Sequence, residues 1–308
     1  MTGEAKVTNA EIQTVPELVI NYHVTEACNY GCNYCYARWK KGNHKELHCD
    51  LKKADLLFSS LKDFFSPGND KNPLSNYLSW KNIRINFAGG EPFLIGRRFH
   101  ELIDLAERYG FKMSIITNGS LITDEFIETS GSKISMLGLS IDSVNDGVLT
   151  QIGRCNKRNE TLDLQNLSRQ VELLRDGNPD VKIKVNTVVN ALNAHENMGA
   201  MIDLISPDKW KALQVLPVLC DDLAVSDALF NQYVDRHQHY DGILVQEDNT
   251  AMTDSYIMIN PEGRFYQNTG SIGDANQHYS YSNPILAVGA GVAFNEINFN
   301  AKRFAERY

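Results

Sequence analysis

Leu18-Val19-Ile20-Asn21-Tyr22-His23 runs, four residues on, into Cys28-Asn29-Tyr30-Gly31-Cys32-Asn33-Tyr34-Cys35. The first stretch is short and mostly apolar, the pattern of a strand buried on both faces of a sheet. The second crowds three thiols into a loop directly behind that strand. Parallel α/β folds gather their ligands at the carboxyl ends of strands, so this pair reads as the opening unit of such a fold.

Working outward, the same kind of run recurs at Ile83–Ala88, Met113–Thr117, Ile134–Ile141, Val181–Val189 and Ala212–Val218. Amphipathic helices are expected between them, at Leu51–Phe65, Phe99–Tyr109, Asp124–Ser130, Thr161–Leu174 and His195–Ile205. Helix stops are expected at Gly110, Gly131 and Gly177 in the left-handed conformation. A series of β-then-α steps without a return strand implies parallel strands and right-handed crossovers. Six units are too few for a closed eight-stranded barrel. The expected fold is α/β, an open partial (β/α)6 barrel, with a doubly wound open sheet as the alternative. After about Asp221 the pattern changes to a helix near Asp227–His239 and a hairpin at Ser255–Gln267 around Asn260-Pro261-Glu262-Gly263. This divides the chain into a polar tail (1–16), the partial barrel (17–220) and a C-terminal extension over the site (221–308).

The composition suits a soluble globular protein: 43% hydrophobic and 22% charged over 308 residues. A net charge of −8 without a basic tail argues against binding nucleic-acid polymers, but a few local Lys and Arg would suffice for one nucleotide. The first sixteen residues lack the apolar core of a secretory signal. The longest uncharged run, near Ala275–Asn295, holds Pro284 and several Gly and is too polar to span a bilayer. A cytoplasmic location is therefore expected, with no membrane partner. Six cysteines are no disulfide framework at this length, and crowded cysteines in a reducing compartment bind metal.

Thiolates are soft ligands suited to iron–sulfur clusters and zinc. Cys28, Cys32 and Cys35, spaced Cys-x3-Cys-x2-Cys, would leave one iron of a four-iron cluster open to a substrate or cofactor. The competing reading is a structural zinc site completed by His44 or His48, although zinc sites favour paired short spacings and no second Cys-x2-Cys occurs. Cys49, Cys155 and Cys220 read as buried thiols. The other expected strands also end in polar clusters: Gly89-Gly90-Glu91, Thr117-Asn118-Gly119-Ser120, Ser140-Ile141-Asp142-Ser143, then Asn186-Thr187 with Asn190, and Gln214. Single clusters of this kind are often turns or caps, as Thr123 and Ser143 could be, but so many on one rim suggest a ligand. Two glycines admit a ligand to the backbone, and a strand-end carboxylate suits an ammonium. Arg154, Lys182, Lys184, Lys209 and Lys211 are expected on the same rim, where charges on barrel strands need partners. Such cations suit a polyphosphate.

The cysteine spacing, with an aromatic residue before the last cysteine, resembles the radical S-adenosylmethionine (SAM) superfamily. Ala88-Gly89-Gly90-Glu91-Pro92 resembles that superfamily's Gly-Gly-Glu-Pro element. More closely, Val19–Cys35, Ile85–Leu94, Ile115–Ile122, Leu139–Arg154, Val181–Asn190, Lys209–Leu216, Asp254–Ile259 and Pro284–Gly289 resemble the viperin family of antiviral radical SAM nucleotide dehydratases, and Ile152-Gly153-Arg154 keeps that family's spacing from Ser140. The membrane helix of animal members has no counterpart in this sequence, and relatives continue with a short further tail.

The resemblance implies that Cys28, Cys32 and Cys35 hold a [4Fe–4S] cluster. Gly89, Gly90, Glu91, Asn118, Ser140 and Arg154 would bind SAM. Asn21, Lys184, Asn186, Lys209, Lys211 and Arg307 would bind a nucleoside triphosphate, with Tyr256 catalytic beside its ribose. Lys209 stands where animal members have Arg, which gives up the bidentate fork for phosphate. The implied reaction cleaves SAM reductively, removes the C4′ hydrogen of the ribose and eliminates the 3′-hydroxyl. The product is a 3′-deoxy-3′,4′-didehydro nucleotide that terminates polymerase chains. CTP is the expected substrate, with UTP and GTP open. A flavodoxin or ferredoxin would donate electrons to a monomer. The alternatives are another radical SAM enzyme acting on a different anion, although no second cysteine triplet occurs, and a non-enzymatic metal- or nucleotide-binding module.

Overall fold

The computed structural model describes residues 12–35, 37, 45–216, 221–249, 252, 254–268 and 279–307. In chain order the strands are β1 (Gln13–Thr14), β2 (Glu17–His23), β3 (Leu78–Ser79), β4 (Asn82–Ala88), β5 (Lys112–Thr117), β6 (Met136–Ser140), β7 (Lys182–Val189), β8 (Lys209–Gln214), β9 (Leu244–Glu247), β10 (Ile257–Ile259), β11 (Arg264–Asn268) and β12 (Tyr279–Pro284). The helices are α1 (Leu51–Phe65), α2 (Arg97–Arg108), α3 (Asp124–Ser130), α4 (Asp146–Ile152), α5 (Leu164–Gly177), α6 (Gly199–Ile205), α7 (Asp227–Arg236), α8 (Ile285–Val288), α9 (Ala290–Phe294) and α10 (Ala301–Ala305).

β1 and β3 form a separate pair. The other strands make one sheet in the order β12-β11-β10-β2-β4-β5-β6-β7-β8-β9. From β10 to β9 every neighbouring pair is parallel, while β11 and β12 pair antiparallel. The α/β expectation holds, and the sheet is open. It is wider than the sequence suggests, because β9 and β10 add a parallel strand to each edge of the expected six. Both are short and follow the change of pattern at Asp221, so periodicity does not connect them with the earlier series.

A flat run of eight parallel strands would hold its edges about 34 Å apart at about 4.8 Å per gap. Yet Tyr256, just before β10, donates from its hydroxyl to Glu247, the last residue of β9, at 3.0 Å. The sheet therefore curls, and side chains bridge its open seam. The helices supply the outer layer. On α1, Ala54, Leu57, Phe58, Leu61 and Phe65 form the buried stripe, each large side chain contributing about 1.5–3 kcal/mol by leaving water. Asp50 caps this helix by accepting from Lys52 and Lys53 N–H.

Local chemistry moved several boundaries. α5 starts at Leu164 rather than Thr161 because Asp163 accepts from the N–H groups of Gln165 and Asn166, both at 3.0 Å. β8 starts at Lys209, earlier than expected, because Trp210 is buried and its indole donates to Thr187 Oγ1 at 3.0 Å; Val218 lies outside the described residues. Of the three glycine stops, Gly110 is left-handed, with φ 68°. Gly131 has φ −59° and opens a 3-10 turn; a Cβ there would meet Leu174 at 2.8 Å, so packing is what requires glycine. Gly177 ends α5 from inside, and Asn178 caps it.

Candidate functional site

Glycine-controlled backbone contacts hold the cysteine loop. Gly90 N–H donates to the Thr25 carbonyl at 2.7 Å and Glu91 N–H to that of Ala27 at 2.8 Å. A Cβ on Gly90 would lie 2.1 Å from the Ala27 oxygen. The group that approaches Gly90 is thus the protein's own chain just before Cys28, which corrects the expectation that the glycines open the backbone to a ligand. On the other side, Gly31 N–H donates to the Gly153 carbonyl at 3.1 Å and Asn33 N–H to that of Ile152 at 2.9 Å. The loop is fastened to the end of β4 and to the end of α4, a helix that the sequence reading did not include.

Glu91 is fully buried and has no surface to offer an ammonium. Its oxygens accept from Thr117 Oγ1 at 2.7 Å, Asn118 N–H at 2.8 Å and Phe93 N–H at 3.1 Å. Burial raises its pKa against those hydrogen bonds. In this structure Glu91 braces the ends of β4 and β5. Asn118 ties the third strand-end cluster to the cysteine loop, donating to Asn29 Oδ1 at 2.9 Å with its amide 4.0 Å from Cys28 Sγ.

Arg154 lies between β6 and the loop. It donates to the Ser140 carbonyl, pairs with Asp142 at 3.3 Å and reaches Cys32 Sγ at 3.8 Å. Tyr34 also donates to Asp142. The Ser140 hydroxyl makes no hydrogen bond among the described residues. Cys28 is exposed at the surface of the loop, yet partial desolvation pushes its thiol up to about 11, and the charges of Glu91, Cys32 and Cys35 add to the shift. Burial likewise raises Cys32, and Arg154 opposes it. Three soft sulfurs that feel one another, with a guanidinium alongside and a loop backbone pinned on both sides, fit a cluster held by three cysteines. His48, the alternative zinc ligand, is instead paired with Glu46 at 2.8 Å; His44 lies outside the described residues. Cys49 and Cys155 are partly exposed rather than buried, and Cys220 lies outside the described residues.

The second half of the site lies on one face of the sheet. Trp210 points away, into α7, so its neighbours Lys209 and Lys211 face the other side. In register, Lys184 pairs with Lys209 and Asn186 with Lys211. Lys184 is the third residue of β7, and Lys209 opens β8. The cations therefore sit along the strands and not on the rim, while the rim residues Asn190 and Gln214 are used by local loops. Burial lowers the Lys184 pKa well below the ordinary value, helped by Lys211 and Arg84. Neither Lys184 nor Lys209 has a carboxylate within ion-pair distance among the described residues. The Asn186 side chain is buried and makes no hydrogen bond there. Asn21 accepts from Asn86 at 2.7 Å and donates to the Ile257 carbonyl at 3.3 Å.

Sequence reasoning missed Glu247 and Arg84. Glu247 accepts from Lys211, Arg307 and Tyr256, and the Arg307 guanidinium stacks 3.8 Å from the Tyr256 ring centroid. Burial works to raise the Glu247 pKa, but Lys211 and Arg307 outweigh it and hold the carboxyl below its usual range. Arg84 pairs with Glu17 at 2.6 Å and donates to Ser114 Oγ at 3.2 Å. It sits between Ile83 and Ile85, as Lys184 sits between Ile183 and Val185, so the same test of a charge on an apolar strand would have found it. Ser143 is not a cap; it donates to Glu196, and Asn145 caps α4. Thr123 does cap α3.

The sequence matches the Radical SAM superfamily over residues 22–189. It is 43% identical over 296 residues to the S-adenosylmethionine-dependent nucleotide dehydratase of Pseudoalteromonas ulvae, covering 96% of this chain and 94% of that one. It is 41% identical to the protein of the same name from Psychrobacter lutiphocae, covering 95% of each. Among solved structures, native anSMEcpe with bound AdoMet superposes with a TM-score of 0.65 at 14% identity, over 94% of this chain and 82% of that one, a likeness of fold.

Proposed function

Because the chain belongs to the S-adenosylmethionine-dependent nucleotide dehydratase family of the radical SAM superfamily, we propose that it converts a ribonucleoside triphosphate to the 3′-deoxy-3′,4′-didehydro analogue. CTP is the first choice of substrate, with UTP and GTP open, and the product serves as a chain terminator in antiviral defence. The family's cofactors are a [4Fe–4S] cluster and SAM. Cys28, Cys32 and Cys35 would hold the cluster, and Gly89, Gly90, Glu91, Asn118, Ser140 and Arg154 would shape the SAM seat. Bound there, the two groups supply reductive SAM cleavage, the start of hydrogen abstraction from a substrate.

The observation that carries the substrate reading is the convergence of Lys184, Lys209, Lys211 and Arg307 on one sheet face. β2 of the same sheet runs, at its carboxyl end, into the cysteine loop. Lys184 and Lys209, with no carboxylate within ion-pair distance among the described residues, are costly there unless an anion is bound with them, and a triphosphate carries the charge to do so. Asn21 and Asn186 offer amides beside them, and Tyr256 would orient the ribose. Residues 221–308 would cover the site and exclude water, over the 17–220 unit that holds the cofactors. No helix among the described residues is long and apolar enough to cross a membrane. A cytoplasmic monomer reduced by a flavodoxin or ferredoxin completes the proposal.

The test is product mass spectrometry with each of the four ribonucleoside triphosphates, SAM and dithionite. The expected product is a nucleotide lighter by one water, and CTP deuterated at C4′ passes its deuterium into 5′-deoxyadenosine. Unlabelled 5′-deoxyadenosine formed at full rate from that substrate would overturn the reading.

A further inference from the structure

Lys211, Glu247 and Arg307 form a buried ion network across the seam of the sheet. Their side chains are 11%, 6% and 5% exposed, respectively. Glu247 ends the edge strand β9, one strand from Lys211. It accepts from Lys211 with one oxygen. With the other it accepts from Arg307 at 2.5 Å and from the Tyr256 hydroxyl at 3.0 Å. Lys184 and Lys209, the next cations on the same face, have no such carboxylate among the described residues. The cluster therefore has an open half and a latched half. A phosphate chain that meets Lys184 and Lys209 faces no competing carboxylate there among the described residues. To extend to Lys211 and Arg307 it must share them with a fixed negative charge, and like charges at close range repel strongly where water is scarce.

We propose that Glu247 is a built-in competitor of the substrate's phosphates for Lys211 and Arg307, an affinity-determining residue that weakens triphosphate binding and speeds release. This deepens the reading of that face as a nucleoside triphosphate site and rests on it. Without ligand chemistry Glu247 has a plain benefit, since two buried cations need a counterion. With it, the same contact opposes binding. The two roles have separate readouts under substitution: loss of a counterion lowers the stability of the fold, and loss of a competing negative charge tightens an anion at Lys211 and Arg307.

The experiment is isothermal titration calorimetry on the full chain with reconstituted cluster, using sodium tripolyphosphate, CTP and cytidine as separate ligands. It is run at about pH 6, below the value of about 8 to which burial lowers Lys211, because loss of Glu247 lowers that value further and the protonated amine must be kept in the variants. Glu247→Gln is expected to bind tripolyphosphate and CTP about tenfold tighter, with slower CTP dissociation in stopped flow and unchanged affinity for cytidine and SAM. Glu247→Asp keeps the charge and withdraws the oxygens by one methylene; it is expected to fall between parent and Gln variant, and it decides the matter if the Gln variant does not fold. Equal or weaker tripolyphosphate binding in the variants, with the parent binding normally, overturns the competitor role and leaves the substrate reading standing. A parent that binds neither tripolyphosphate nor CTP overturns both.

Discussion

Gly153 packs against Gly31 so closely that a Cβ on Gly153 would lie 2.5 Å from the Gly31 carbonyl oxygen and 3.3 Å from the Cα of Cys32. The two glycines are also hydrogen bonded, so the end of α4 sets the middle of the cysteine loop. Gly153 has φ 83°, a left-handed conformation that costs a residue with a side chain about 1–2 kcal/mol. Gly153→Ala should therefore displace Cys32 and reduce reconstituted iron and sulfide per chain to below about half of the parent value. Gly177→Ala is the control, because a Cβ there meets nothing within 4 Å, and it should be neutral or stabilising by about 0.5–1 kcal/mol. Full iron loading in the Gly153 variant would show that the loop position does not depend on this contact.

Cys32 lies nearest to Arg154, at 3.8 Å. Cys32→Ala should abolish the brown absorbance of the reconstituted protein and all 5′-deoxyadenosine formation, while leaving the circular dichroism spectrum unchanged. SAM cleavage by the variant would remove Cys32 from the ligand set.

Lys184 is a cation that burial and the neighbours Lys211 and Arg84 disfavour. Lys184→Met should weaken CTP binding by at least about tenfold, the loss of one charge-assisted contact, with SAM binding unchanged. It should also raise stability. Because the folded-state pKa is depressed below the unfolded value, the unfolded chain binds more protons between the two, so the parent gains stability as pH rises through that window. The variant lacks this gain. Urea midpoints measured from about pH 7 to pH 10 should show a higher starting value and a flatter profile for Lys184→Met; a lower midpoint at neutral pH would argue that Lys184 is already compensated in the fold.

His23 is buried at the end of β2 and hydrogen bonded through Nδ1 to the Tyr266 hydroxyl. Burial pushes its pKa down to about 3. The folded protein keeps this ring neutral while the unfolded chain protonates it from about pH 6.5 downward. Stability should fall with acid between these limits, on the order of 1.4 kcal/mol per pH unit at most from this group. His23→Gln should flatten that part of the profile, as read by chemical denaturation from about pH 6.5 to pH 4.5. An unchanged slope would place the acid sensitivity elsewhere.

Much of this molecule was legible in the order of its residues. α1 and α3 have the ends that their periodicity and flanking residues predict, because Asp50 and Thr123 cap them and an apolar stripe lies between cap and stop. β2, β4 and β5 each begin one residue before the expected start, β7 begins one residue after it, and all four end where expected, since a buried parallel strand is a continuous apolar run. The cysteine spacing points to a cluster without any coordinates, because ligand type and spacing are properties of the chain. Pairings between distant segments are a different matter. Gly90 reads in sequence as room for a ligand, yet the neighbour that fills its space is the Ala27 carbonyl. Glu91 reads as a free strand-end carboxylate, yet Phe93 N–H and two donors from the end of β5, Thr117 and Asn118, use it up. Nothing in the run Leu244–Glu247 announces that it borders Lys211, or that Glu247 meets Tyr256 and Arg307 across the seam. Composition, spacing and period determine which elements form and what chemistry they can carry, because those depend on interactions between near neighbours in the chain. Which charge faces which is decided by the curl of the sheet, because it brings together edges that no local pattern relates.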